Sequence, residues 1–353
     1  MTQNSPNPSD AFTKDLHKSK ALKISVAEAM GGSQTIIDVR APIEFDKGAI
    51  PASLNFPLLH DHERHEIGIL YKQVGQQAAI EQGYEFLQKN FPKFVSEVME
   101  LKKLEPIILS CARGGMRSQV MTNLFRNLGL DATQLEGGYK GYRNWVLQNL
   151  ENLEIPKLVV LQGQTGVGKT KVIHLLPNSI DLEGLAHHRG SLFGGIGLKP
   201  TNQKNFEADL VDAIGKLDLS KPVYIEGESK KIGPVNLPAK LYKIMNDAPI
   251  AFLSSPLSVR IERIEEEYIT EQPENRPRLR EMVASLKEFF GKAGVAGLLE
   301  NFDQGNYEPL LTRILVEYYD PKYSHCLKGV DFAQTIDTSD LELATREIQK
   351  SFK

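Results

Sequence analysis

Cysteine is almost missing from this chain: Cys111 and Cys326 are the only two in 353 residues. So sparse a set builds no disulfide framework, and a reducing compartment is the better expectation. Long apolar runs are missing too. No stretch approaches the ~20 residues that span a bilayer. The polar opening Met1–Asp10 has two prolines and lacks the apolar stretch of a secretory signal. No membrane partner is expected, and the chain reads as cytoplasmic. Excess charge of one sign is also absent, since 42 basic and 45 acidic residues leave a net charge of -3. No global field draws the chain to nucleic acid, so any basic face must be local. Neither internal repeats nor low-complexity tracts are found, which excludes solenoids and fibres.

What is present is the composition of a globular protein, 41% hydrophobic and 25% charged. Its length exceeds what one core usually supports, so two domains are expected. The first half alternates strands and helices. Thr35–Val39 and Pro106–Ser110 are apolar strands, a helical pattern covers Gln119–Leu128, and Glu63–Phe94 is mostly helical and amphipathic. A boundary falls near Glu151–Pro156, which places one domain at 20–150 and the other at 156–353. The second half begins with the strand Lys157–Leu161, and further strands are expected at Ser179–Leu182, Pro222–Glu226, Pro249–Leu253 and Phe332–Ile336. The charged stretch from Tyr268 to about residue 320 reads as a helical insertion or lid. Strands separated by helices predict α/β domains with parallel sheets covered on both faces.

Gly163-Gln-Thr-Gly166-Val-Gly168-Lys169-Thr170 fits the phosphate-binding pattern G-x-x-x-x-G-K-[ST], with a strand running in and a helix running out. Glycines let the backbone curl so that successive N–H groups face phosphate oxygens. Lys169 reaches the terminal phosphate, and Thr170 offers a hydroxyl to magnesium. A chance glycine-rich turn does not explain strand, loop and helix together. The ligand stays open at this point: ATP, GTP or a diphosphate ester. Glu226, closing the strand Pro222–Glu226, is a candidate acid for the metal or its water, with Glu228 behind it; a solvated acid at a strand end explains either as well.

Cys111-Ala-Arg113-Gly-Gly-Met-Arg117-Ser118 also lies between a strand and a helix. Loop amides, the helix N-terminus and the guanidiniums of Arg113 and Arg117 favour a thiolate, so Cys111 reads as a nucleophile. A buried structural cysteine fits poorly beside two arginines and two glycines. Asp38-Val39-Arg40, Glu44-Phe45 and Gly48-Ala-Ile50-Pro51-Ala-Ser-Leu-Asn55-Phe-Pro57 resemble the opening of a rhodanese domain. The run Leu135-Glu-Gly137-Gly138-Tyr with Trp145 resembles its close. That resemblance implies a sulfur able to carry a chalcogen. One departure matters: many rhodanese loops place the arginine one position before Arg117. The Cys-x5-Arg spacing here is that of cysteine phosphatases, which leaves a phosphatase reading open and also suits a larger atom such as selenium.

A rhodanese-like domain followed by a P-loop domain resembles the bacterial tRNA 2-selenouridine synthase family over nearly the whole chain. Further matching runs are Leu70-Tyr-Lys-Gln, Ala78-Ala-Ile, His187-His188-Arg189-Gly-Ser191-Leu-Phe193-Gly194, Glu226-Gly-Glu228-Ser229-Lys230-Lys231-Ile-Gly233 and Tyr318-Tyr-Asp320-Pro-Lys-Tyr323. The resemblance implies replacement of sulfur by selenium at wobble 2-thiouridine, with geranyl diphosphate and selenophosphate as co-substrates; magnesium is a candidate only through the Thr170 of the P-loop. It implies tRNA as partner and a selenophosphate-supplying enzyme as a candidate second one. On this reading Leu192, Phe193 and Ile196 are candidates for a prenyl slot, weighed evenly against ordinary loop anchors. His187, His188 and Arg189 are candidate diphosphate or tRNA contacts. Lys199, Lys204, Lys230, Lys231 and Arg276-Pro-Arg278-Leu-Arg280 are candidates for a basic face, although such clusters are usually solvated helix surface. Cys326 beside His325 reads as incidental, because a metal needs more ligands. The rival readings are an ATP- or GTP-dependent tRNA sulfurtransferase using a Cys111 persulfide, and a regulatory fusion of a phosphatase-like domain with a P-loop.

Overall fold

A computed structural model describes residues 16–89, 91–326 and 329–353. The chain divides into two compact units, one ending at Asn149 and one running from Leu150 to Lys353. The side chains of His325 and Cys326 lie outside the described residues.

The first unit is built on a five-stranded parallel sheet. Its strands are β1 (Lys23–Ile24), β2 (Thr35–Asp38), β3 (Leu54–Asn55), β4 (Ile107–Ser110) and β5 (Ala132–Leu135), ordered β1-β5-β4-β2-β3. β2 and β4 read TIID and IILS, and β4 is buried along its whole length. Apolar, β-branched residues with both faces covered are what a central parallel strand requires. The core packs Ile37, Val39, Ile107 and Leu109 against Met121, Leu124 and Phe125 of the helix Met116–Asn127. The amphipathic stretch folds as three helices, Asp61–Gln73, Gln76–Lys89 and Phe91–Glu100.

The second unit repeats the scheme with a sheet ordered β12-β11-β6-β8-β7. These strands are β6 (Leu158–Gly163), β7 (Ser179–Ile180), β8 (Val223–Glu226), β11 (Ile250–Ser254) and β12 (Gln334–Asp337); β9 (Lys231–Ile232) and β10 (Val235–Asn236) form a separate antiparallel pair. Every pairing within the five-stranded sheet is parallel. Each reactive loop therefore leaves the carboxyl end of the middle strand of its sheet, β4 for Cys111 and β6 for the glycine-rich loop. Open parallel sheets bind ligands at such positions. The charged stretch before β12 is helical, with helices Arg276–Ser285, Lys287–Gln304 and Tyr307–Arg313. They pack around a core of their own that includes Leu279, Leu298, Phe302, Leu310 and Leu315. Gly291, at φ 69°, breaks the second of these helices.

Candidate functional site

The cysteine loop is held by backbone contact. Gly114 in the loop and Gly138 facing it sit so close to each other's backbone that a side chain at either position has nowhere to go. A Cβ on Gly114 would stand 2.7 Å from the Gly137 nitrogen, and the residue takes φ +61°. Gly137 and Gly138 also have positive φ, at 69° and 53°, which only glycine adopts freely. The amides of Tyr139 and Lys140 then donate to the carbonyls of Cys111 and Ala112, at 2.8 and 3.0 Å. This pinch is why the run Leu135–Tyr139 accompanies the cysteine loop.

Cys111 is 3% exposed. The Ser118 hydroxyl donates to its Sγ at 3.1 Å, and Gln134 Nε2 donates to the Ser118 oxygen at 2.8 Å. The helix Met116–Asn127 starts at Gly115 without a side-chain cap, so its first amides remain available to an anion beside the sulfur. The two arginines behave differently. Arg113 is exposed. Arg117 is tied to Glu44, with Nη1–Oε2 2.6 Å and Nη2–Oε1 3.3 Å, and Arg64 reaches the same carboxylate at 3.0 Å. Burial alone would lower the Arg117 pKa, but the pair with Glu44 raises it above its ordinary value. Arg117 is thus a cation balanced by Glu44, and Arg113 is the guanidinium that the loop leaves to a ligand. Asp38 and Arg40 form a buried bidentate pair, with Nη2–Oδ2 2.6 Å. Arg40 also donates to the Gly48 carbonyl at 2.7 Å. That part of the motif braces the loops around the site.

Beside this loop opens a cavity of about 580 Å³ with a mainly aliphatic wall, including Ile67, Ala79, Ile80, Leu87, Val120 and Cys111 itself.

In the second unit the glycine-rich loop takes its strained turns at Gly166 and Gly168, with φ +84° and +86°. A Cβ on Gly163 would stand 2.6 Å from the Leu253 carbonyl oxygen, so β11 packs directly against the loop's entry. Lys169 Nζ donates to the Gly163 carbonyl at 3.1 Å and lies 5.8 Å from the centre of the Tyr323 ring. Burial would depress its pKa, but Tyr323, Glu228, Glu183 and Glu226 outweigh burial and hold it above the usual lysine value. Thr170 Oγ1 lies 2.7 Å from Glu226 and 3.0 Å from Glu183. Glu226 thus sits behind the Thr170 hydroxyl, and Glu228 belongs to the same buried group of acids. Burial, then the charges of its neighbours, pushes Glu183 up to about 9 and Glu226 up to about 7.

Two arginines that carry no local sequence signal hold the loop from behind. Arg260, 3% exposed, donates to the Thr165 carbonyl at 2.8 Å and forms a bidentate pair with Asp320, at 2.6 and 3.0 Å. Arg263 and the Thr338 hydroxyl both donate to the Val167 carbonyl, at 2.8 and 2.7 Å.

Arg189 lines the cavity over the glycine-rich loop together with Ser191, Tyr268 and Tyr323. It is paired with Glu267 at 2.5 Å. A narrow apolar cavity of about 60 Å³ shares Thr165, Ser191, Ile264 and Tyr268 with that space and is closed by Phe193, Phe302 and Leu310 among others. Of the three apolar residues read as a prenyl slot, only Phe193 lines this cavity. Ile196 is buried in the helical core, and Leu192 is 42% exposed. His188 packs instead against Gly194, Gly195 and Gly233, and burial with the neighbouring Arg189 lowers its pKa. His187 faces the Lys199 carbonyl at 3.0 Å. Within the basic cluster, Arg280 is paired with Asp303 at 2.8 Å and Arg276 donates to the Tyr307 hydroxyl at 2.8 Å. Arg278 and the four lysines are exposed. No described helix is long and apolar enough to cross a membrane.

Comparison with known proteins bears on both units. The model of the rhodanese-like domain matches residues 24–144, and that of the tRNA 2-selenouridine synthase AAA domain matches residues 156–292. The tRNA 2-selenouridine synthase of Nitrosomonas europaea is 38% identical over 261 residues, covering 71% of this chain and 68% of that protein. The synthase of Shewanella woodyi is 35% identical over 87% of this chain and 91% of its own length. The synthase of Hydrogenovibrio crunogenus is 31% identical over 86% and 92%.

Proposed function

Since the chain belongs to the tRNA 2-selenouridine synthase family, an enzyme that puts selenium into tRNA, we propose that its two loops divide that reaction into two steps with geranyl diphosphate and selenophosphate as co-substrates. In the first, the diphosphate lies on the amides of the glycine-rich loop and on Lys169, and the first carbons of the prenyl chain meet the apolar cavity of about 60 Å³ behind it, which has room for only part of the chain. The thiocarbonyl sulfur of a wobble 2-thiouridine attacks C1 of the geranyl group, the C1–O bond breaks, and the base loses its N3 proton as diphosphate departs. Positive charge fixed around the leaving group lowers that barrier.

Alkylation turns a poor leaving group into a good one. In the second step selenium from selenophosphate, held at the Cys111 loop, adds to C2 and the C2–S bond breaks. The geranyl thiolate takes a proton and leaves as the thiol. Water then cleaves the P–Se bond, giving phosphate and 2-selenouridine with its N3 proton restored. A magnesium ion accompanying the diphosphate fits the Thr170 hydroxyl with Glu226 at 2.7 Å from it, and would supply charge neutralisation there. Among the described residues no group of three His, Cys, Asp or Glu forms a metal site of its own.

The observation that carries this reading is the junction in the second unit, where a phosphate-binding loop and an apolar cavity share Thr165, Ser191, Ile264 and Tyr268. An apolar wall at the edge of the phosphate loop suits the allylic end of a prenyl diphosphate. The test is to incubate the protein with thiolated tRNA and geranyl diphosphate, with and without selenophosphate, and to analyse the nucleosides by mass spectrometry. Geranylated thiouridine is expected without selenophosphate and selenouridine with it. A requirement for ATP or GTP would point to the sulfurtransferase chemistry instead.

A further inference from the structure

Selenophosphate does not account for the cavity beside Cys111. A small, highly charged anion is served by loop amides and one free guanidinium, and Arg113 with the uncapped helix start supplies both. The space next to them is of another kind. It measures about 580 Å³ and its wall is largely aliphatic, from Ile67, Ala79, Ile80, Leu87, Met116 and Val120, with Cys111 in the same wall. That size lies within the range of cavities that enclose a small organic ligand. A reactive sulfur therefore faces a chamber suited to a flexible hydrocarbon of several carbons.

We propose that this cavity is a second prenyl site, which holds the geranyl chain of S-geranylated tRNA while the C2–S bond breaks. The inference rests on the two-step reading above and adds to it a site in the first unit. The chain bound there belongs to the leaving group, so the cavity selects the alkylated base over unmodified 2-thiouridine and receives the geranyl thiol that departs. Selenium transfer is thereby confined to a base that has completed the first step.

Gly83 provides the means of testing this. It lies on the cavity wall within the helix Gln76–Lys89, and a Cβ there would meet only Ile67 Cδ1, at 3.6 Å, so a larger side chain can enter the cavity without striking backbone. The full-length protein is given selenophosphate and either of two tRNAs, one carrying S-geranyl-2-thiouridine and one carrying S-methyl-2-thiouridine, and selenouridine is measured by mass spectrometry. Wild type is expected to favour the geranyl substrate by at least about tenfold in kcat/KM, since even one methylene in an apolar pocket is worth that order. Gly83→Phe is expected to lower the geranyl-to-methyl ratio by about tenfold. Equal use of the two substrates by wild type, or an unchanged ratio in Gly83→Phe, overturns the proposal. If Gly83→Phe loses both activities, the wild-type ratio alone decides. Absence of any selenouridine from the geranylated tRNA with wild type is a different failure, and sinks the two-step reading itself.

Discussion

Replacing Glu183 by glutamine tests whether the acids around Thr170 hold the protons that their geometry demands. The Thr170 hydroxyl has one proton but two carboxyl neighbours, Glu226 at 2.7 Å and Glu183 at 3.0 Å. Burial, followed by the charges of Glu226 and Glu228, lifts Glu183 from its ordinary 4.5 to about 9. The folded chain therefore keeps a proton at pH 7 that the unfolded chain has released. For a group whose folded pKa is raised, unfolding stability is highest below the unfolded value and falls as pH climbs toward the folded one. The slope for one full proton is about 1.4 kcal/mol per pH unit. From pH 5 to 8 that sets a ceiling of roughly 4 kcal/mol, and sharing among three acids reduces it to about 2 kcal/mol. Glutamine has the length of the neutral acid, accepts from Thr170 and donates toward Glu228, but cannot titrate. Its stability should therefore exceed that of wild type by an amount that grows from pH 5 to pH 8. The assay is urea denaturation of both proteins across that range. Far-UV circular dichroism follows the helices of both units, and fluorescence of Trp145, the single tryptophan, follows the first alone, so a pH-dependent difference seen by circular dichroism and not by fluorescence belongs to the second unit. Parallel stability curves for the two proteins would refute the shared-proton reasoning.

Other outcomes follow from the same geometry. Lys169→Ala should abolish geranyl transfer to thiolated tRNA, read as loss of the geranylated nucleoside, because its ammonium is the loop's own cation for the departing diphosphate, whereas Arg260 and Arg263 are spent on the loop's carbonyls. Cys111→Ser should keep geranylation but lose selenouridine, so geranylated tRNA accumulates when both co-substrates are supplied; serine has the size of cysteine but lacks the soft, polarisable sulfur that helps the loop hold selenium at C2. Asp320→Asn leaves the buried Arg260 half-paired behind the Thr165 carbonyl, and should destabilise the second unit by about 2 to 3 kcal/mol while raising the KM for geranyl diphosphate. Binding of tRNA should weaken steeply with salt in a filter-binding titration, and a flat response would argue against a local basic face on this near-neutral chain.

Both reactive loops were legible because their chemistry is consecutive in sequence. Gly163–Thr170 and Cys111–Ser118 each pack strand end, glycines and helix start into eight positions, and β2, β4, β6, β7, β8, β11 and β12 were read to within two residues. β1, β3 and β5 were not. Two of them are two residues long, too short for any periodicity, and β5 reads ATQL, with two adjacent polar residues in a mostly buried strand. The hairpin Lys231–Asn236 escaped for the same reason. Within the sites, what stayed hidden was supplied from far along the chain. Arg117 reads as a partner of the sulfur until Glu44, 73 positions away, appears beside it. Arg260 looks like any polar residue of a helix, and only the fold brings it to Thr165, 95 positions back. The glycine-rich run 190–197 has no period from which to tell the side chain that lines a cavity from the one that faces water, hence the differing fates of Phe193, Ile196 and Leu192.

The bond from Thr338 to the Val167 carbonyl spans 171 positions, and this has a consequence for how the protein is made. A ribosome adding roughly 5 to 20 residues per second needs about ten to thirty seconds to pass from one partner to the other. Throughout that interval the nascent chain has its glycine-rich loop without its latch, and without the β12 edge beside β11. Non-local contacts of this kind also form late in folding, after the entropy of closing a long loop has been overcome. A chain still in translation therefore lacks a finished glycine-rich loop. On the two-step reading proposed above, alkylation of tRNA begins only on molecules whose first unit, and with it the means of completing the exchange, left the ribosome well before.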